Sequence, residues 1–567
     1  MNTVKKPWLK FYGNIPESLD YPKKSLYQVV KENAKKHGNS IAYKFLGASY
    51  TYNQLIENIE KFASGLKSLG FKKGDTMSII MPTCPEGIVA FYAVNKLGGI
   101  ASMVHPLSTE KEIEYYFNLS DSKYVLTLDM FYEKVENASK NSKVEKIIVS
   151  KISNSMPFLK KSIYNLFMSK KVKLGEKAVK YNDLINIKDY VEDAEVNTNE
   201  LAAILYSGGT TGFPKGVMLS NYNLIAEGMQ VSVWGGLNEE DTILAILPIF
   251  HGFGLSVCIN AVFMGGARSI LIPKFELNDL IKTIKKEKPT FLIGVPTLYK
   301  AFVDSEDFRK IKLDFLKAAF CGADTLPEKL KRDFDLLVEK SGGKAKLLEG
   351  YGLTEAVTAV MAMPLNHYKP GSMGVPFPDM LAKIVEPGTD KEKETGEIGE
   401  IVLSGPDVML GYIKNKEETE RVLKRHSDGL TWLHTGDLGY MDEDGFFYFK
   451  QRLKRMIKVS GYNVFPAEVE NVLINHPLVK NACVIGVEDD YQMTRVKAFV
   501  ELEDFSKASD ELKKELIEYA KKHLIKWSCP KEIEFRKELP LTKIGKVDFK
   551  VLEQEEKEKR LKEKKEK

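Results

Sequence analysis

The residues with the types and spacing for chemistry are densest in Tyr206-Ser-Gly-Gly-Thr-Thr-Gly-Phe-Pro-Lys-Gly216, directly after the apolar run Leu201 to Leu205. Gly208, Gly209 and Gly212 let the backbone turn so that several N–H groups can face one anion. Ser207, Thr210 and Thr211 add hydroxyl donors, and Lys215 adds a full positive charge. Together these parts suit a triphosphate. The loop is not the phosphate loop of kinases and GTPases, G-x-x-x-x-G-K-[ST], because Pro214 precedes the lysine and Gly216 follows it. Taken alone, it competes with a glycine-rich hairpin that holds no ligand.

Other segments add reactive groups. Glu349-Gly-Tyr-Gly-Leu-Thr-Glu355 ends in a hard oxygen ligand, suited with Thr210 and phosphate oxygens to a magnesium ion that keeps much of its water shell. His434-Thr-Gly-Asp437-Leu-Gly offers a second carboxylate, and Leu541-Thr-Lys-Ile-Gly-Lys546 a lysine near the C-terminus. Leu247-Pro-Ile-Phe-His251-Gly puts a histidine on a long uncharged stretch. Singly, each has a bland reading: a Glu after Thr starts a capped helix, an Asp after Gly makes a turn, and a lone His on an apolar run is a core residue.

In this order, over about residues 20 to 550, the five motifs resemble the adenylate-forming enzymes: acyl-CoA synthetases, luciferases and peptide-synthetase adenylation domains. The resemblance implies that a carboxylate and MgATP give an acyl adenylate and pyrophosphate, after which the thiol of coenzyme A displaces AMP. It implies that Tyr351 stacks on adenine, that Gly322 and Ala323 line the adenine and acyl side, and that Glu349, Gly350 and Gly352 belong to the same nucleotide-binding wall. Thr354 would meet the α-phosphate, Asp437 would accept hydrogen bonds from the ribose, Arg452 would support it, and His251 would border the carboxylate and thiol side. Lys546 would stabilise the charge that builds between the attacking carboxylate and the α-phosphate, an interaction made in the transition state. Gln451-Arg-Leu-Lys454-Arg-Met-Ile-Lys458 resembles the family's interdomain hinge, with Gln451 where Asp is common. Lys454 and Lys458 are candidates for phosphate contacts as the C-terminal domain swings between half-reactions.

Within the family, Pro7-Trp-Leu-Lys10 and Val295-Pro-Thr-Leu-Tyr299 look most like bacterial long-chain fatty-acid–CoA ligases. An aromatic or medium-chain acid, a carrier-protein thiol as acceptor, and a non-catalytic nucleotide-binding relative stay open. So does a membrane protein that binds or moves fatty acids, with Ile243 to Ala267 as its span. A homodimer is expected by analogy with relatives.

The elements that must position these residues are those of an α/β protein. Leu55, Ile56, Ile59, Phe62, Ala63 and Leu66 recur on one helical face, Thr51 with Gln54 makes a capping box, and Gly70 ends the helix. Strands at 77–81, 101–104, 125–128 and 147–149 alternate with helices at 86–97 and after Thr109, which predicts a largely parallel sheet covered by helices. At 567 residues the chain needs more than one core. We expect a large N-terminal body of sheets covered by helices (1–450), a hinge (451–454), a small mobile α/β domain carrying Lys546 (455–552), and a charged tail (553–567) that is frayed or disordered.

The 83 Lys and Arg nearly balance 78 Asp and Glu, so the composition points to no nucleic-acid partner. Five scattered cysteines, with no metal spacing and no signal sequence, point to a reducing cytoplasm. Ile243 to Ala267 carries no Asp, Glu, Lys or Arg, but Pro248, His251, Asn260 and four glycines favour a buried strand, loop and helix over a bilayer span. Between 151 and 173 six lysines accompany Leu159, Ile163, Leu166 and Phe167 on one helical face, with no acidic residue. That face suits either the protein core or an anionic membrane surface.

Overall fold

The computed structural model describes residues 4–167, 172–187, 189–207, 214–459, 462–489, 493–542 and 547–566. The sequence-predicted Gly208, Gly209, Thr210, Thr211, Gly212 and Lys546 lie outside these.

The alternating pattern folds as the periodicity requires. The helix Tyr52–Ser68 starts at the Thr51 and Gln54 capping box, a reciprocal pair of hydrogen bonds worth on the order of 1 kcal/mol. A second box, Thr109 with Glu112, opens Glu110–Ser120. Strands Thr76–Ile80, Ile100–Met103, Tyr124–Leu128, Lys146–Ser150 and Ala178–Lys180 pair in parallel. Their sheet is completed on the other side by Leu201–Ser207, Lys215–Ser220 and Gly411–Tyr412. A second large sheet runs Val375–Pro376, Ala359–Ala362, Leu347–Gly352, Ala318–Cys321, Phe291–Gly294, Thr242–Ala245, Arg268–Leu271, Ile41–Phe45 and Ala48–Thr51.

Helix Pro85–Lys96 is buried at every position, as an element packed on all sides must be. It carries Glu86 into the interior, where burial raises the carboxyl to about 7 and Ser155 Oγ donates to it at 2.7 Å. An antiparallel sheet, Leu381–Val385, Gly399–Ser404, Thr431–Met441, Leu423–Arg425 and Phe447–Arg452, leads to the C-terminal part.

From Ile457 onward the chain packs around a core of its own, built on Val479–Asp489, Met493–Leu502 and Glu532–Arg536 with helices Pro466–Ile474 and Asp510–His523. The expectation of a frayed tail is corrected for its beginning. Helix Phe549–Glu566 buries Leu552, and Glu556 joins Glu532 and Glu534 around the fully buried ammonium of Lys497. That single cation, which would be costly to bury alone, needs these carboxylates.

The uncharged stretch is interior: strand Thr242–Ala245, then the π-helix Phe253–Asn260 and the short helix Ala261–Gly265. Among the described residues no helix is long and apolar enough to cross a membrane. The basic segment forms helix Phe158–Phe167, and its Leu159 is 75% exposed rather than turned to the core. All five cysteines are unpaired and buried.

Candidate active site

Lys215 and Ser207 face each other across an antiparallel pair, so the phosphate-loop candidate joins two strands as a hairpin instead of leading from strand to helix. Tyr115 Oη pins its C-terminal stem by donating to Pro214 O at 3.1 Å. The pairing of Gly411–Tyr412 with Met218 and Val217 then delivers a distant segment to Lys215. The Lys215 ammonium pairs with Glu418 and lies 4.8 Å from the centre of the Tyr412 ring. Arg421 holds both Glu418 oxygens at 2.6 Å and, against burial and with help from Lys215, lowers that carboxyl to about 2.

Glu355 sits in a short helical turn, Thr354–Ala356, and accepts a hydrogen bond from Tyr412 Oη at 2.8 Å. The turn is followed by Val357 at φ 61°, ψ −68°, a costly conformation for a β-branched residue. Glycine fixes it from two sides: a Cβ on Gly252 would come 2.0 Å from Val357 O, and one on Gly352 would come 1.4 Å from Thr358 O. The His251 and Glu355 motifs are therefore locked together by contacts that only glycine permits.

Asp437, 2% exposed, is the best-supported carboxylate of the site. Tyr351 Oη donates to its Oδ2 at 2.8 Å, and Arg452 Nε lies 3.2 Å from Oδ1. Strand pairing sets this up, since Asp437 is opposite Arg452 in register. Burial, then the Asp437 charge and hydrogen bond, push the Tyr351 phenol far above its ordinary value. Burial likewise raises Glu349 to about 7; its Oε1 accepts from Tyr368 at 3.0 Å, and its Oε2 has no partner among the described residues.

A single cavity of about 1260 Å³ collects these groups. Ser207, Lys215, His251, Gly322, Ala323, Glu349 to Glu355, Asp437, Arg452 and Lys454 all line it. Ala323 takes φ 69°, and the Phe253 ring lies 3.3 Å from where a Gly322 Cβ would be. Leu541 and Thr542, preceding the undescribed lysine, and Val547, following it, also line the cavity. Lys458 does not; it is exposed on strand Ile457–Val459.

Sequence reasoning missed Tyr412, Glu418, Arg421 and Glu400, which no spacing links to the motifs they touch. The donor set fits a magnesium ion brought in by a triphosphate: Glu355 contributes a carboxylate at the cavity wall, and no cluster of three or more His, Cys, Asp or Glu suited to a metal exists among the described residues. Such an ion, held largely by phosphate and water, would neutralise the phosphate charge.

The family models that match are the AMP-binding enzyme, over residues 30–413, and the AMP-binding enzyme C-terminal domain, over 468–546. A long-chain-fatty-acid–CoA ligase of Bacillus subtilis is 36% identical over 98% of both chains. A probable 4-coumarate–CoA ligase 3 of Dictyostelium discoideum is 34% identical over 86% of this chain and 85% of its own. Among solved structures, the anthranilate CoA ligase AuaEII in complex with anthranoyl-AMP superposes with a TM-score of 0.83 at 25% identity, over 95% of this chain and 98% of that one.

Proposed function

This chain belongs to the AMP-binding enzyme family, and we propose that it is an AMP-forming acid–CoA ligase whose acid is a long-chain fatty acid. ATP, Mg2+ and coenzyme A are its co-substrates and ion. The observation that carries the chain-length reading is an uncharged stretch of the cavity wall. Besides Lys215, Glu355, Asp437 and Arg452, the cavity is lined by Val231, Trp234, Leu237, Ile243, Phe291 and Phe377, of which Trp234 packs on Phe377 and Ile243 pairs with Phe291. An alkyl chain buries there at about 0.8 kcal/mol per CH2, while a second carboxylate or an amine would find no partner.

In this reading a carboxylate oxygen of the acid forms a bond to the α-phosphorus of ATP and pyrophosphate leaves. The coenzyme A sulfur then attacks the acyl carbon, its proton is released and AMP departs. Lys215 and Thr354 hold phosphates, Tyr351 the base, Asp437 the ribose hydroxyls, and Lys546 the charge of the first transition state. Residues 451–454 form the hinge between a body, 1–450, and a lid, 455–552. In support, the parts have separate cores, and Gln451 Oε1 accepts from Ala467 N at 2.9 Å across the junction.

Contact with a membrane surface is supported by Phe158, 80% exposed, and Leu159 beside Lys160 and Lys161. Alkaline carbonate should then release the protein from membranes. The test of function is pyrophosphate release over a panel of acids with and without coenzyme A. Acids of 12 to 18 carbons should turn over best and need coenzyme A for sustained turnover. A higher kcat/KM for an aromatic acid than for any acid from C8 to C18 would overturn the long-chain reading.

A further inference from the structure

Behind Asp437 runs a buried chain of titratable groups that the reaction above does not use. Glu400, on strand Gly399–Ser404, His434, on Thr431–Met441, and His426, following Leu423–Arg425, are all buried. His434 Nδ1 lies 2.8 Å from Glu400 Oε2, and the Nε2 atoms of His434 and His426 are 3.0 Å apart. The N–H of Gly388 donates to Glu400 Oε2 at 2.9 Å, and that of Gly436 to Oε1 at 3.0 Å.

Gly436 is the residue before Asp437 and takes φ 71°, so the turn it makes decides where the Asp437 carboxylate points. Thr435 completes the clamp: its Oγ1 donates to Ile401 O at 2.7 Å and accepts from Asp437 N at 3.0 Å.

The proton count follows from the geometry. Two imidazoles that meet through Nε2 atoms hold one proton between them. With His434 giving Nδ1–H to the carboxylate, its Nε2 accepts, and His426 donates from Nε2. His426 Nδ1 is then a buried acceptor with no partner among the described residues. Within the histidine pair a further proton can enter only there, as a buried N–H with no partner among the described residues. Burial opposes ionisation of Glu400, but the hydrogen bonds from His434, Gly388 and Gly436 outweigh it and hold the carboxyl below its usual value. Burial, then Lys383 and His434, lower His426, while Asp428 and Asp390 act the other way. Lys383 is itself paired with Asp428 and Glu392 and lies over Trp432, which stacks on His426; Arg421 faces Glu400.

We propose that Glu400, His434 and His426 are positioning residues for the nucleotide: Glu400 clamps the Gly436 turn that aims Asp437 at the ribose, and the histidine pair orients Glu400. The proposal rests on the reading of Asp437 as the ribose acceptor. Charging His426 in acid breaks the order of the chain, so nucleotide binding weakens while the proposed acyl wall, Val231, Trp234, Leu237, Ile243, Phe291 and Phe377, which includes none of the three residues, is spared.

The test is steady-state kinetics of the full-length enzyme from pH 5.5 to 8. Glu400→Gln should raise KM for ATP at least tenfold at pH 7.5 and change KM for the fatty acid and coenzyme A less than twofold. In the unmodified enzyme KM for ATP should climb about fivefold from pH 7.5 to 5.5. His426→Gln, whose amide can still donate to His434 Nε2 and cannot charge, should abolish that climb. An unchanged KM for ATP in Glu400→Gln, or equal rises for all three substrates with a falling Tm, overturns the proposal, as does an acid climb that survives in His426→Gln. Asp437→Asn is the control: if it leaves KM for ATP unchanged, the ribose reading fails, not the positioning chain.

Discussion

Gly235 offers a way to shorten the proposed acyl site without touching the charged residues of the cavity. It closes helix Asn221–Gly235 and lines the cavity between Trp234 and Leu237. A Cβ built there meets Leu237 at 3.4 Å and Phe291 at 4.0 Å, ordinary contacts, and its φ is not in the left-handed region, so a side chain is tolerated. Gly235→Leu places four carbons where a bound alkyl chain would run. Displacing about four methylenes at ~0.8 kcal/mol each costs long acids roughly 3 kcal/mol, which is about two orders of magnitude in kcat/KM. The assay is pyrophosphate release with hexadecanoate and octanoate. Hexadecanoate should lose about 100-fold while octanoate, with half the chain length, stays within threefold. Equal losses for both acids, or no loss for hexadecanoate, would refute the assignment of this arm to the acyl chain.

Other consequences follow from the same site. Lys546→Ala should abolish pyrophosphate release yet leave thioester formation from supplied acyl adenylate largely intact, because the lysine serves only the first half-reaction; parallel loss of both would contradict the swing of the lid. Glu227, fully buried and bonded by Ser256 Oγ, is raised by burial to about 8. The folded state therefore binds a proton that the unfolded state releases, and this stability is complete below about pH 4.5 and lost as pH rises through 8. Glu227→Gln should remove the loss, a ceiling of about 5 kcal/mol, so its Tm advantage should widen from pH 6 to pH 9. Parallel Tm curves would show that Glu227 does not titrate there.

Much of the site was legible because its chemistry is carried by short segments. Glycine, hydroxyl and lysine between residues 206 and 216 compose a candidate anion loop, and Glu355, Asp437 and Lys546 sit in runs whose order along the chain identifies the family. Periodicity likewise placed the helix Tyr52–Ser68 and the parallel strands, since burial of one face is written into local spacing.

Contacts between distant segments were not legible. Glu418 reaches Lys215 only because Gly411–Tyr412 pairs with the strand that follows the loop, and Glu400 reaches Gly436 only across a sheet register. The direction of the basic helix was also undecided, because an apolar stripe fits a core or a lipid surface equally well; packing left Phe158 and Leu159 outside. The sequence by itself determined the family and which groups are candidates for its chemistry, since residue type and local spacing carry that information. The tertiary structure decided which carboxylates pair, which stay protonated in the interior and where an apolar chain can lie, because register, burial and cavity shape are properties of segments brought together.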